Sequence, residues 1–196
     1  GIQSNGFGQI MFSPDGEKLA VSGESVGVEL FDFDNSNGIV KNPVKVETAP
    51  MVSICFSPDN SKLYANHYTS TDIIQYDLER GLSKAVVGKL TGGSGWIGNM
   101  QIGPDGKIYI SKYLGKELAV INDPDSAGTR CNLSDYGFNL GGAKALFGLP
   151  NFVYEGSSEV SPIPDFSFQV KCIREAVLFH ISDSSLFDSG SLSWDF

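Results

Sequence analysis

The sequence predicts an all-β chain built from repeated four-stranded units. Three observations carry that expectation. One stretch returns: Ile10-Met11-Phe12-Ser13-Pro14-Asp15-Gly16, then Ile54-Cys55-Phe56-Ser57-Pro58-Asp59-Asn60, then Met100-Gln101-Ile102-Gly103-Pro104-Asp105-Gly106. Its prolines stand 44 and 46 residues apart, and a period of that size sets the architecture before any local feature does. A composition of 41% hydrophobic residues, 11% aromatics and 23 glycines suits a packed core crossed by many turns.

The first unit reads as four strands. Gly8 to Ser13 is a short strand. Pro14-Asp15-Gly16 turns it, with proline presetting φ at the first corner and Asp-Gly completing the turn. Lys18 to Ser22 is the second strand. Gly27 to Phe33 is the third, with Val28 and Leu30 on one face. Asp34-Asn35-Ser36-Asn37-Gly38 is a hairpin ending in Asn-Gly. Pro43 to Thr48 is the outer strand, whose Lys45 and Glu47 suit a solvated edge.

The second unit keeps the order: Ser53 to Ser57, Lys62 to Asn66, Asp72 to Asp77, a turn at Glu79-Arg80-Gly81, and Lys84 to Leu90. The third offers Asn99 to Gly103, Lys107 to Lys112, Glu117 to Asn122, a turn at Asp123-Pro124-Asp125, and a looser outer strand near Tyr136 to Leu140. The third strands end alike, as Leu30-Phe31-Asp32, Gln75-Tyr76-Asp77 and Val120-Ile121-Asn122. Four short antiparallel strands at this period are the signature of a β-propeller blade. One blade cannot bury both its faces, whereas stacked blades bury each other's. A β-sandwich also has many short strands but not this internal identity.

The Phe-Ser-Pro-Asp-Gly turn and the Asp34–Gly38 hairpin resemble those of WD40-like and YVTN-type propellers. The run Met100 to Ile110, Val120-Ile121-Asn122-Asp123-Pro124, Gly128-Thr129-Arg130-Cys131 and Gly148-Leu149-Pro150-Asn151-Phe152 resemble the last propeller segment of large Bacteroidetes surface and secreted proteins. Those are the gliding-motility-associated or type IX secretion cargo proteins, in which a propeller precedes PKD domains. The resemblance covers about residues 7–155. Cys172, Ala176-Val177-Leu178-Phe179 and Ser193-Trp194-Asp195-Phe196 resemble the first half of a PKD domain, an immunoglobulin-like sandwich. The family's Gly-Asp-Gly does not follow, so the module and its Ca²⁺- or turn-forming residues are incomplete. The implied organisation is a partial propeller of three blades plus an extra inner strand over 1–156, a linker over 157–164, and a truncated PKD-like tail over 165–196. Phe147 to Val153 is expected as the inner strand of a further blade. Open blade edges invite pairing, so either two copies associate or the chain is a fragment of a larger protein.

Net charge and spacing exclude several chemistries. A formal charge of −9 and a pI of about 4.6 repel phosphate backbones and anionic lipid, so nucleic acid is not an expected partner. No apolar run reaches the roughly 18–20 residues that span a bilayer. Gly1-Ile2-Gln3-Ser4 is not a signal peptide, which says nothing about export. The three cysteines, Cys55, Cys131 and Cys172, form no CxxC metal motif. Cys55 reads as a small buried apolar residue, and a Cys131–Cys172 bridge is left open. Asp32, Asp34 and Ser36 imitate part of a Ca²⁺ loop, but Gly38 falls one place late and Pro43 stands where the closing Glu belongs, so a hairpin is expected. His67 and His180 lie in different modules. No GxSxG elbow occurs, and Gly92 to Gly98 lacks the Lys-Ser/Thr of a phosphate loop. No metal, cofactor or catalytic set is expected.

Propellers present ligands with the loops from outer to next inner strand and from second to third strand. Those loops carry Glu24, His67, Tyr68, Trp96 and Tyr113. Trp96 closes the glycine-rich run Gly92 to Gly98, a flexible approach to a large aromatic. Exposed aromatics rimmed by polar groups grip sugars and peptides. The competing assignment is structural: Trp96 between blades, tyrosines capping the sheet. The resemblance implies a non-catalytic binding or scaffold module of an exported or cell-surface protein, with a carbohydrate or protein ligand. The alternative is a propeller hydrolase or lyase of lactonase type, for which Glu24 and His67 are a mismatched pair. A cytoplasmic interaction propeller is disfavoured by the PKD-like tail.

Overall fold

The computed structural model describes residues 7–67, 69–150 and two strands beyond them, Phe166–Gln169 and Leu178–Ile181. The chain divides into two units, Gly1–Tyr154 and Glu155–Phe196. The first holds three four-stranded antiparallel sheets, each ordered as the chain runs. The first blade is β1 (Gly8–Phe12), β2 (Lys18–Gly23), β3 (Gly27–Asp34) and β4 (Ile39–Glu47). The second is β5 (Met51–Phe56), β6 (Lys62–His67), β7 (Asp72–Asp77) and β8 (Ser83–Lys89). The third is β9 (Ile97–Ile102), β10 (Ile108–Lys112), β11 (Glu117–Ile121) and β12 (Leu133–Asn139). In the second unit, β13 (Phe166–Gln169) pairs antiparallel with β14 (Leu178–Ile181). The expected linker, Cys172 and the rest of the PKD-like tail lie outside the described residues.

The recurring motif folds the same way each time. Ser13, Ser57 and Gly103 donate their N–H to the carbonyls of Lys18, Lys62 and Lys107, at 2.9, 2.9 and 2.7 Å. The residue after the Asp takes a left-handed φ of 71°, 66° or 76°, which is why Gly16, Asn60 and Gly106 occupy it. The Ser13 hydroxyl donates to Asp15 and accepts from the N–H of Lys18, and Ser57 repeats this with Asp59 and Lys62. Asp34 caps its hairpin by accepting from the N–H groups of Ser36 and Asn37 and from the Asn37 side chain. Asp32 accepts from Lys18 and Asn42. These carboxylates are turn and sheet groups.

Two apolar layers join the blades. Ala20, Val28 and Leu30 of the first pack against Met51, Ile54, Phe56, Leu63, Ala65, Ile74 and Tyr76 of the second. Cys55, Tyr64, Ile73, Val87 and Leu90 of the second pack against Ile97, Met100, Ile102, Ile108, Ile110, Ala119 and Ile121 of the third. The second blade is therefore covered on both faces. Ile54, Phe56 and Leu63 are fully buried, each worth about 1.5–3 kcal/mol over exposure.

Polar bonds set the register between blades. Gln9 Oε1 accepts from the Ser53 hydroxyl at 2.9 Å and the Ile54 N–H at 3.1 Å. One junction on, Ser53 Oγ accepts from the Met100 N–H at 2.9 Å. The Asp15 N–H donates to Asn60 Oδ1, and the Asp59 N–H to Asp125 Oδ1. Tyr64 donates to the Pro124 carbonyl at 2.6 Å, while Gln75 donates to Ser126 O and accepts from the Gly128 N–H. That clamp on the loop after β11 explains the 3₁₀ turn Gly128–Cys131, which the sequence reading missed.

Two edge expectations are corrected. β4 starts at Ile39 rather than Pro43, because Pro43 is tolerated on an edge strand beside a bulge where Asn42 has φ 52°. Glu47 is no solvated edge charge. Its side chain is 12% exposed and pairs with Lys84 of the second blade.

Candidate functional site

The loop between β8 and β9 is held at its base. Lys112, on β10, is buried and donates to the Asp135 carbonyl at 2.6 Å and to Asp135 Oδ1 at 3.0 Å. Its ammonium also lies 4.2 Å from the Tyr136 ring centre. Asp135 accepts from the Thr91 N–H at 2.9 Å and from the Thr91 hydroxyl. Burial works against its ionisation, but the Thr91 and Lys112 bonds prevail and hold its carboxyl below the usual range. Further along, the Ser94 N–H donates to the Tyr113 carbonyl and the Tyr113 N–H to the Trp96 carbonyl, both at 2.9 Å. Gly93 has φ 58°, and a Cβ there would meet the Tyr113 oxygen at 2.6 Å. The run expected to be a flexible approach is thus bonded to the turn between β10 and β11.

A second segment comes back over the same turn. Beyond β12 the chain reverses through Gly141 and Gly142, with φ of 63° and 94°. The Leu114 N–H donates to Ala145 O at 2.9 Å and the Ala145 N–H to Gly115 O at 2.8 Å. The Asn99 N–H donates to Phe147 O at 2.7 Å, and the Ser111 hydroxyl to Leu146 O. A Cβ at position 98 would sit 2.2 Å from the Phe147 oxygen, so glycine admits this approach. No strand forms over 140–150. The part of the expected further strand beyond Pro150 lies outside the described residues.

These segments assemble an aromatic rim. The Phe147 and Tyr113 rings stack with centres 4.4 Å apart and planes 10° from parallel. The Phe7 ring lies 6.5 Å from that of Phe147, with planes 23° from parallel. Beside them is a cavity of about 100 Å³ lined by Phe7, Val52, Trp96, Ile97, Asn99 and Phe147. Trp96 is 45% exposed. The surroundings are apolar, with Asn99 as a polar group among the lining residues.

Of the residues singled out in the sequence, Trp96 and Tyr113 meet here. Glu24 is near, its N–H donating to the Phe7 carbonyl at 3.0 Å. His67 stands at the end of β6, where its Nδ1 accepts from the Thr69 N–H at 3.1 Å. Tyr68 lies outside the described residues. Sequence reasoning did not find Phe7 and Phe147 as site residues. Phe147 joins the rim because the chain reverses at Gly141 and Gly142, and Phe7 because it continues β1 beside Glu24; no local spacing encodes their meeting. Gly98 and Gly93 were the available signal, since glycine marks close backbone approach.

No protein-family model and no curated protein sequence matches the chain. Among solved structures it is similar to a candidate 6-phosphogluconolactonase from Bacteroides uniformis, at 19% identity and TM-score 0.47, over 66% of this chain and 40% of that one. It is similar to an auxiliary nutrient binding protein from Bacteroides thetaiotaomicron, at 13% and 0.45, over 57% and 27%. It is also similar to the dihydro-heme d1 dehydrogenase NirN, at 19% and 0.46, over 65% and 27%. These are β-propeller proteins, and three stacked four-stranded sheets are the same architecture. The chain spans about a third of the length of the structures it matches. One expectation is overturned: the chain was expected not to be an enzyme, yet proteins of this fold that it is similar to include a dehydrogenase and a candidate lactonase. A stretch spanning this share of such proteins does not exclude catalysis by lacking a nucleophile motif. Among the described residues, no helix is long and apolar enough to cross a membrane.

Proposed function

We propose that this chain is a ligand-binding segment of an exported or cell-surface β-propeller protein, and that its aromatic rim takes a carbohydrate or protein ligand. The observation that carries the reading is the Tyr113–Phe147 stack at 4.4 Å beside Trp96 and a cavity of about 100 Å³. Stacked, half-exposed rings supply apolar area at low conformational cost, and small pockets beside them accept an anchoring group. The clamp beneath the loop supports the reading, because Lys112 and Asp135 hold the tryptophan-bearing loop before any ligand arrives. The acidic charge of −9 favours neutral or basic ligands over phosphates. The resemblance of residues 7–155 to Bacteroidetes gliding-motility and type IX secretion proteins supports export, and with it a surface role.

The test is binding to an oligosaccharide array and to an immobilised peptide library, repeated with Trp96→Ala and Tyr113→Ala. The expected result is binding to one class of probe that either substitution weakens at least about tenfold, the loss of one or more good aromatic contacts. Melting curves of both variants close to that of the parent would place the loss in the site. Absence of binding to every probe, or binding that both substitutions leave intact, would defeat the reading.

A further inference from the structure

The inner turns of the first two blades share a plan but not their neighbours. In each, a serine hydroxyl bonded to an aspartate closes the turn, and the N–H of that aspartate reaches across to the next blade. The Asp15 N–H donates to Asn60 Oδ1, a neutral amide, at 3.2 Å. One junction on, the Asp59 N–H donates to Asp125 Oδ1, also at 3.2 Å. A carboxyl thus stands where the preceding junction has an amide, and it stands beside a second carboxyl. The Asp59 and Asp125 side chains lie within hydrogen-bonding reach of one another. Asp59 lies between β5 and β6 and Asp125 between β11 and β12, so both sides of this joint belong to the blades described above.

Each carboxyl is fixed from its own side. Asp59 accepts from the Ser57 hydroxyl at 2.7 Å, from the Ser61 N–H at 2.9 Å, and from the Ser61 hydroxyl at 2.7 and 2.8 Å. Asp125 is carried by the clamped loop, in which Tyr64 holds the Pro124 carbonyl and Gln75 holds Ser126 O and the Gly128 N–H. The other charged groups around the pair have partners of their own. Lys62 of β6 lies 3.4 Å from Asp77 of β7, which Arg80 approaches at 3.9 Å. In the loop, Asp123 accepts from Asn132 at 3.0 Å. Burial raises the Tyr64 hydroxyl and the Cys131 thiol, so both stay neutral at pH 7. Two carboxylates held in contact repel, whereas one proton between them makes a charge-assisted hydrogen bond.

We infer that the joint between the second and third blades is a proton-sensitive contact, in which Asp59 and Asp125 share one proton in mild acid and repel each other at neutral pH. Asp125 carries the shared proton, because the bonds from Ser57 and Ser61 favour the ionised form of Asp59. Burial works against that ionisation, but the serine bonds prevail and hold Asp59 below the usual carboxylate range. Burial and the Asp59 carboxyl hold Asp125 above it, outweighing the Asp59 N–H and Lys62. Asp125, raised on folding, contributes stability that is full below pH 3.8 and is lost as pH rises through its folded value. Asp59, lowered on folding, contributes stability present above pH 3.8 and lost as pH falls. The joint is therefore firmest just above pH 3.8, with one carboxyl charged and its neighbour neutral.

Asp125→Asn tests this, because the amide keeps an acceptor for the Asp59 N–H and cannot ionise. The site is exposed, so the variant should fold as the parent does. At pH 7 it should melt about 1–3 °C above the parent, the size of a solvent-screened charge contact in a unit of this length. The difference should narrow as the pH is lowered towards 4, where Asp125 of the parent has gained its proton. Carboxyl-carbon NMR titration of the full chain reads the proton directly. Asp125 should titrate above 3.8 in the parent and at lower pH in Asp59→Asn. A variant no more stable than its parent at pH 7, or a difference that does not change with pH, would overturn the inference. So would an Asp125 that titrates at or below 3.8, or one whose titration Asp59→Asn leaves in place.

Discussion

Glu47 offers the sharpest test of how the blades are joined. It ends β4 of the first blade, and its carboxylate accepts from the N–H groups of Thr48 and Ala49 at 2.8 and 3.0 Å, from the Tyr76 hydroxyl at 2.9 Å and from Lys84. Burial raises its pKa, but these four donors outweigh that and bring the carboxyl from 4.5 to about 2. A folded value below the unfolded one means that stability is present above pH 4.5 and is lost as pH falls towards 2. At about 1.4 kcal/mol per pH unit the shift is on the order of 3 kcal/mol, and water at the rim of the pair brings it to about 2. Glu47→Gln should therefore lower the melting temperature at pH 7 by about 4–8 °C in a unit of this size. The two proteins should converge as the pH is lowered, because the parent loses the charge that the variant never had. Urea or thermal unfolding followed by circular dichroism at pH 7, 5, 4 and 3 measures this. A difference of constant size across that series would refute the electrostatic account and assign the loss to shape. Lys84→Met should remove much of the same pH-dependent increment, and the double variant should fall short of the sum of the two.

The repeated lysine–aspartate pair should behave differently in two blades. Lys62 and Asp77 are 3.4 Å apart with both side chains 6% exposed, while Lys18 and Asp32 are 3.1 Å apart with side chains 40% and 42% exposed. Asp77→Asn should cost about 3–5 kcal/mol of unfolding free energy by leaving a buried ammonium without its ion-pair partner, whereas Asp32→Asn, at an exposed and solvent-screened pair, should leave the unfolding midpoint nearly unchanged, both read from urea unfolding. Gly98→Ala should displace Phe147, whose oxygen would lie 2.2 Å from the new Cβ; near-ultraviolet circular dichroism of the aromatic stack should weaken while the far-ultraviolet spectrum holds. Cys55 should resist thiol reagents in the native protein, since burial raises its thiol to about 12 and access needs unfolding. Labelling of Cys55, followed by mass spectrometry, at the rate of an unfolded chain would contradict that.

Much of the fold was legible because the repeat carries its own punctuation. Pro14, Pro58 and Pro104 located the three inner turns, and β7 runs over the expected Asp72–Asp77. Alternation in Val28 and Leu30 named the face that packs on the second blade. What escaped was set by partners distant in sequence. Glu47 looks like any edge charge until Tyr76 and Lys84 arrive from the next blade. The 3₁₀ turn after β11 depends on Gln75 and Tyr64, more than 50 residues earlier. Trp96 and Tyr113 were found as loop aromatics, but their neighbour Phe147 reaches them only because the chain reverses at Gly141 and Gly142.

The departures from the repeat gather in one place. Between β4 and β5 the chain uses three residues, 48–50, whereas between β8 and β9 it uses seven, 90–96. Stacking blades does not need those extra residues, because the shorter connection already joins two sheets with a buried layer between them. The longer loop is nonetheless fastened at both ends, by Thr91 to Asp135 and by Ser94 and Trp96 to Tyr113. Fastening a surplus loop costs conformational entropy. It is repaid only if the position of what the loop carries matters, and what it carries is a large, half-exposed tryptophan. The same reasoning applies to 145–147, which is bonded to Asn99, Ser111, Leu114 and Gly115 without forming a strand and delivers Phe147. Two segments outside the blade pattern, each anchored and each ending in an aromatic ring, converge on one cavity. Blade stacking accounts for the core but not for this rim, and the rim is what the ligand-binding proposal explains.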